Sequence, residues 1–357
     1  MIPDIFATVF RVAAILGYHN VFISIYENGS NDQTKALLRI FDSLTRAVGL
    51  RVTIRSSHRT RGAFNHRIEY LAEVRNAALV PLHELRDAEG EIFDSVIFMN
   101  DILPCVDDLL ELIWQSRRQN AGITCAADYM FHEEIGAPVF YDNWVARDIN
   151  GTALENAPFE AVFHHPDSSQ RYQHHLPIQV QSCWNGIAIL DPEPIYRPPH
   201  VKFRMAKLVE GECSASECSL VGNDYWATGY GRIIMVPRVK LAYDKVGIHI
   251  SCALSFTNLV CSVYSTSFIP LGATSPPSAA TRVWVASPMT PVPTRKTALG
   301  SARMTACLSK KRVKSSTSSL VPSTSGAGGG TELETLTGRM STPSGRRCPT
   351  EQRCPRP

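Results

Sequence analysis

The chain has 357 residues, 44% of them hydrophobic and 19% charged, so it is long enough for one large core or two smaller ones and is not a minimal scaffold needing metal or disulfide staples. Its formal charge of +3 conceals two kinds of sequence: residues 1–245 carry 30 acidic and 23 basic side chains (−7), whereas residues 246–357 carry 3 and 13 (+10). The ten cysteines follow no metal-ligand repeat, and no basic stretch leading into an apolar run marks a signal peptide at Met1.

In chain order, Asp4 to Leu16 predicts a helix with Ile5, Val9, Val12 and Leu16 on one face, stopped by Gly17. Val21 to Ile25 is an uninterrupted β-branched run, as expected of a strand covered on both faces. It opens into Glu27, Asn28, Ser30 and Asp32, a polar turn with acceptors for a base or for ribose hydroxyls, where α/β sheets bind ligands. The plainer reading makes Asp32 the N-cap of the following helix. That helix spans Gln33 to Val48, and Leu50 to Arg55 forms the next strand. In the basic loop Ser56 to Gly62, Arg59 and Arg61 are placed to reach a diphosphate.

His66 to Leu85 reads as a long helix. The strand beginning at Asp94 then runs apolar into Asn100 and Asp101, where a carboxylate at a strand end is suited to a divalent cation facing phosphates. The next helix is expected to be capped by Asp107 or Asp108. Gly122 to Ala127 is another strand, again ending on an acid, Asp128. Tyr141 to Asp148 mixes aromatic and charged groups in the manner of a sugar-binding segment. The histidine pairs His164-His165 and His174-His175 sit in loop-like sequence, and adjacent histidines rarely share one zinc. Ile178 to Leu190 is a strand broken at Ser182 to Gly186, and Cys213 and Cys218 form the one close cysteine pair before the tail, either bridged or both free. A short helix over Gly222 to Trp226 and a strand Ile233 to Val236 complete the alternation.

Beyond Lys245 the alternation stops. Residues 246–281 hold no Asp, Glu, Lys or Arg, and the remainder is dominated by Ser, Thr, Pro, Gly and Arg. The ordered domain is therefore expected over residues 1–245, with 246–357 a disordered tail or the product of an altered gene model. Residues 246–273 are long enough to span a membrane but are rich in Ser, Thr, Cys and Asn. Lys310 to Lys314 is a short basic run that offers a nucleic-acid reading.

Five segments, Ser24 to Thr34, Phe98 to Asp101, Tyr141 to Asp148, Ser182 to Gly186 and Glu212 to Cys218, resemble in order and spacing the fungal α-1,3-mannosyltransferases of the cryptococcal capsule-associated type. The resemblance covers residues 4–244 and none of the tail. It implies a GT-A-like α/β fold, a mixed and mainly parallel sheet flanked by helices, with retaining transfer of mannose from GDP-mannose to a mannose-containing glycan acceptor. It further implies Mn2+ or Mg2+, a Golgi or secretory-lumen location with membrane association, and no nucleic-acid partner.

Carried onto this sequence, Glu27, Asn28, Ser30 and Asp32 become the guanosine side, with Arg59 and Arg61 near the diphosphate. Asn100 and Asp101 become the metal element, joined by Asp128, although Met99 stands where the usual Asp-x-Asp pattern has its first acid. Tyr141, Asp142, Trp144, Arg147, Trp184 and Asn185 fall on the sugar side. Glu217 and Asp224 are the candidate catalytic carboxylates that would stabilise positive charge on the anomeric carbon. The rival expectation is a non-catalytic nucleotide-sugar-binding remnant. Of the two sequons, Asn150-Gly-Thr152 is the expected glycan site, because a glycan on Asn28 would block the nucleotide turn.

Overall fold

In the computed structural model, which describes residues 2–58, 66–243 and 281–289, the predicted alternation of strands and helices builds one mixed sheet. Helix α1 (Ile2–Leu16) buries Ile5, Val9 and Val12 as anticipated, together with Ala13, whereas Leu16 is half-buried. Strand β1 (Val21–Glu27) follows, then α2 (Thr34–Ala47), β2 (Arg51–Ser56), α3 (Arg67–Glu89) and β3 (Ser95–Met99). Helix α4 (Val106–Gln119) leads to β4 (Ile123–His132) and β5 (Ala137–Phe140). The remaining elements are α5 (Pro166–Gln173), β6 (Ile178–Gln179), β7 (Ile187–Leu190), α6 (Glu193–Tyr196), α7 (Glu217–Ala227), β8 (Ile233–Ala242) and β9 (Val283–Met289).

The strand order is β2-β1-β9-β3-β7-β4-β8-β6, with β5 paired to β4. Among the described strands, β2, β1, β9, β3, β4 and β8 run in one direction, and β7, β6 and β5 oppose them. Successive side chains of β3 explain why its sequence is apolar throughout: Val96 and Phe98 enter the core that also holds Ala78, Leu79 and Leu82 of α3. Ile97 and Met99 enter the opposite core, with α1, α2 and α4. Helix α4 is capped by Cys105, with the Asp108 carboxylate accepting the Cys105 N–H at 2.8 Å, so Asp107 and Asp108 lie inside the first turn and neither is the cap.

The domain boundary requires correction. Residues 283–289 lie in the sheet, hydrogen-bonded in parallel to β1 on one side and β3 on the other, and the compact unit is Met1–Val292. The run Val283-Trp-Val-Ala286 is itself a strand-like signal, and its docking follows from burial. Trp284 is fully buried, stacked on Phe22 at 4.5 Å and edge-on to Phe93 at 5.2 Å, filling a core between α3 and the sheet. The proposed span over 246–273 and the basic run Lys310 to Lys314 lie outside the described residues. Among those described, no helix is long and apolar enough to cross a membrane.

Candidate active site

The carboxyl ends of β1 and β3, and the middle of β4, carry polar residues singled out in the sequence. At the end of β1 the chain turns through Gly29, whose φ of 92° favours glycine, and brings Glu27, Asn28 and Ser30 into buried positions. The Ser30 N–H donates to Glu27 Oε1, and the Asn28 amide donates to the Tyr70 hydroxyl on α3. Among the described residues, Glu27 Oε2 and Asn28 Oδ1 are buried acceptors with no hydrogen-bond partner. Unmatched acceptors of this kind cost about 1–3 kcal/mol each unless a ligand supplies donors. Asp32 is exposed, and its Oδ1 accepts the Thr34 N–H at 2.9 Å. Hydrogen bonding from Thr34 lowers its pKa, but the N-cap of α2 is Gln33, so Asp32 braces the turn one residue before the cap and is not the cap that the plainer reading made it. Arg59 and Arg61 lie outside the described residues.

At the end of β3, Asn100 and Asp101 diverge in role. Asn100 Oδ1 accepts from Arg75 Nη1 at 3.1 Å and from Trp184 Nε1 at 3.4 Å. Asp101 is exposed, yet the surrounding protein removes enough solvent to raise its carboxyl pKa, with the Arg75 charge opposing the rise. Asp128 is fully buried inside β4, which runs on to His132 and does not end at Ala127 as its sequence suggested, and both its oxygens are engaged. Oδ1 accepts from Asn185 Nδ2 at 2.7 Å and the Asp142 N–H at 3.3 Å, and Oδ2 accepts from the Tyr243 hydroxyl at 2.7 Å.

Burial pushes Asp128 upward against these hydrogen bonds, and burial together with the Asp128 charge lifts Asp142 to about 6. Burial, the nearby carboxylates and the hydrogen bond to Asp128 keep the Tyr243 phenol protonated. Asn185 adopts a left-handed φ of 54° and Gly186 a φ of 80°; a Cβ at Gly186 would stand 2.6 Å from Ile102, so the Asn-Gly turn packs directly on the segment after Asp101.

Beneath this cluster lies Arg75, missed in the sequence. Its Nε donates to Glu217 Oε1 at 2.9 Å, and its guanidinium lies 4.9 Å from the Trp184 ring centroid, 5.3 Å from that of Phe98 and 5.6 Å from that of Phe203. Both partners are buried, Arg75 at 7% and Glu217 at 2% exposure. A signal was present: Ile68, Ala72, Arg75, Leu79 and Leu82 recur at spacings of four and three, which puts a cation on the core face of α3. Tyr70 and Tyr243 were missed because nothing local distinguishes them.

The structure thus separates the predicted carboxylates. Glu217 is ion-paired within the core, its Oε2 also accepting from Ser216 Oγ at 3.2 Å. Asp224, further along α7, is held with Glu212 in a bidentate grip by Arg204, at 2.8 and 2.9 Å. Of the sugar-side residues, Asp142 and Asn185 join the cluster and Tyr141 packs edge-on to Tyr243 at 5.1 Å. Trp184 is buried under Arg75, whereas Trp144 is exposed with Arg67 above it at 5.9 Å. Arg147 spends its Nη1 on the carbonyls of Asn143 and Ala146, both at 2.8 Å.

As a metal site the arrangement is selective. Among the described residues no three His, Cys, Asp or Glu side chains converge as metal ligands. Asn100 and Asp128 are already satisfied by protein donors, leaving Asp101 as the strand-end carboxylate with open capacity. One carboxylate fits a hard cation shared with ligand phosphates, not one caged by protein alone.

A disulfide, Cys125–Cys183 with Cα atoms 6.1 Å apart, ties β4 to the turn that carries Trp184 and Asn185. Cys213 and Cys218 do not bridge each other. Replacing Cys125 and Cys183 together by alanine is expected to lower stability by about 2–4 kcal/mol, because a covalent tie spanning 58 residues limits the unfolded chain. Urea unfolding measures this, and an unchanged midpoint would contradict it.

Comparison with known proteins places these features in company. The family model described as Cryptococcal mannosyltransferase 1 matches residues 1–224. Alpha-1,3-mannosyltransferase CMT1 of Cryptococcus neoformans var. neoformans serotype D is 35% identical over 261 residues, covering 68% of this chain and 55% of the relative. The chain therefore spans about half the length of that curated protein.

Proposed function

The chain belongs to the cryptococcal mannosyltransferase family, and from that premise we propose that it transfers mannose from GDP-mannose to a hydroxyl of a mannose-containing glycan, forming an α-1,3 linkage with retention of configuration. The observation that carries the donor reading is the pair of buried, unpartnered acceptors, Glu27 Oε2 and Asn28 Oδ1, at the end of β1. Guanine presents adjacent ring N–H and amino donors along one edge and would satisfy both. The mixed sheet with its polar residues at the carboxyl ends of parallel strands is consistent with a GT-A-like domain.

Asp101 would hold Mn2+ or Mg2+ against the diphosphate. When bound, the cation would offset the negative charge that grows on the leaving group. Arg59 and Arg61 are retained as candidates to face the same diphosphate. Asp142, beside Asp128 and inside the cluster, is the carboxylate this reading places near the sugar, and Tyr141 and Trp144 supply exposed aromatic surface for stacking. Arg75 and Glu217 act from below: Arg75 holds Asn100 and sends positive charge toward Asp101 and Asp142. Glu217 neutralises Arg75 and does not itself meet the substrate in this arrangement.

We place the domain in the secretory lumen, where a disulfide such as Cys125–Cys183 persists, and membrane association is part of the same reading. The test is to incubate the full chain with GDP-mannose, a mannose-containing oligosaccharide and Mn2+ or Mg2+, following GDP release and product linkage. Metal-dependent formation of an α-1,3-mannoside, lost on chelation, is expected. Metal-dependent GDP binding with neither transfer nor donor hydrolysis would identify a nucleotide-sugar-binding remnant, and absence of both binding and turnover would overturn the donor reading.

A further inference from the structure

We propose that Asn150 is an N-glycan acceptor in the luminal form of the chain. The inference rests on the luminal placement above and is independent of the transferase reaction. Two sequons compete, and the structure separates them. Asn28 is 1% exposed and its amide nitrogen already donates to Tyr70, so it is unreachable once the domain folds.

Asn150, Gly151 and Thr152 are all exposed, on a tight turn organised from below by the buried Asp148. One Asp148 oxygen, Oδ1, accepts the backbone N–H groups of both Asn150 and Thr152 at 2.9 Å. The turn is closed by Gly151 N–H to the Asp148 carbonyl and by Asp148 N–H to the Thr152 carbonyl, each at 2.9 Å. Gly151 takes a φ of 84°, and a Cβ built there meets nothing within 4 Å, so the crest of the turn stands in open space. The exposed turn therefore carries the Asn150 carboxamide and the Thr152 hydroxyl of one sequon at the surface, where an N-glycan acceptor is expected.

The co-reactant is a lipid diphosphate-linked oligosaccharide. Asn150 Nδ2 forms a bond to the anomeric carbon and gives up one proton to a base of the glycosylating enzyme; the anomeric C–O bond breaks, and its electron pair leaves with the lipid diphosphate.

The full chain, expressed in a fungal host with and without an added cleavable secretory leader, is compared by gel mobility before and after endoglycosidase H. The leader-bearing chain is expected to show one retarded species that the enzyme collapses. Asn150→Gln and Thr152→Ala should each abolish it, and Asn28→Gln should retain it; the Thr152→Ala arm leaves the asparagine in place, so a loss there cannot be ascribed to a changed side chain at residue 150. No retarded species on the secreted leader-bearing chain, or one that survives Asn150→Gln, overturns the assignment. A retarded species only when the leader is added supports Asn150 as the acceptor, because the leader delivers the chain to the lumen.

Discussion

Replacement of Asp101 by alanine is expected to lower kcat/KM for mannose transfer by about 10²–10³-fold, the scale on which one preorganised electrostatic group contributes to a transition state. Folding should be unaffected within about 0.5 kcal/mol, since the side chain is exposed and removing it leaves no buried partner unsatisfied. The size of the activity loss follows from the roles of its neighbours. Asn100 and Asp128 have their oxygens engaged by Arg75, Trp184, Asn185 and Tyr243, so neither can take over a cation released by Asp101. Steady-state kinetics over a range of Mn2+ concentrations, with thermal unfolding alongside, measures both quantities. Full activity in Asp101→Ala would remove this residue from the proposed site.

Arg75→Ala should destabilise the domain by about 3–5 kcal/mol, because it strands the Glu217 carboxylate in the core and opens a cavity among Phe98, Trp184 and Phe203. Replacing both partners, as in Arg75→Met with Glu217→Leu, should recover most of that stability, since a buried ion pair is largely offset by its desolvation cost. Turnover should remain low in the double variant. Asn100 then loses the shorter of its two donors, and the charge that favours ionised Asp101 and Asp142 is gone. Urea unfolding and mannose transfer on the single and double variants separate the two effects. Recovery of both together would reduce Arg75 to a packing role.

The motifs legible in the sequence are those whose information is local. The apolar run of β1, the polar turn after it and the Asn100-Asp101 strand end each depend on residues within about ten positions of one another, and each appears at the carboxyl side of the sheet as read. The resemblance carried by five such segments was likewise borne out by family membership. Residue types alone did not reveal which polar groups were already committed. Glu217 looked like a free acid because its partner Arg75 lies 142 positions earlier, and Asp128 looked available because Tyr243, which holds one of its oxygens, lies 115 positions later. Asp224 was ambiguous for the same reason until Arg204 and Glu212 came into view.

The tail taught the opposite lesson about periodicity. Strand β9 was assigned to low-complexity sequence because its surroundings carry no alternation, yet seven residues suffice for a central strand once β1 and β3 offer open edges on both sides. By itself the sequence determined the α/β class, the order of the polar ends of β1 and β3, and the family, since hydrophobic period and short motifs are properties of neighbouring residues. Only the tertiary structure decided that β9 completes the sheet, that Glu27 and Asn28 retain unmatched acceptors while Asn100, Asp128 and Glu217 do not, and that Asp101 stands open. Hydrogen-bond satisfaction and burial depend on groups brought together across 25 to 142 positions of chain, and no local pattern encodes which partner will arrive.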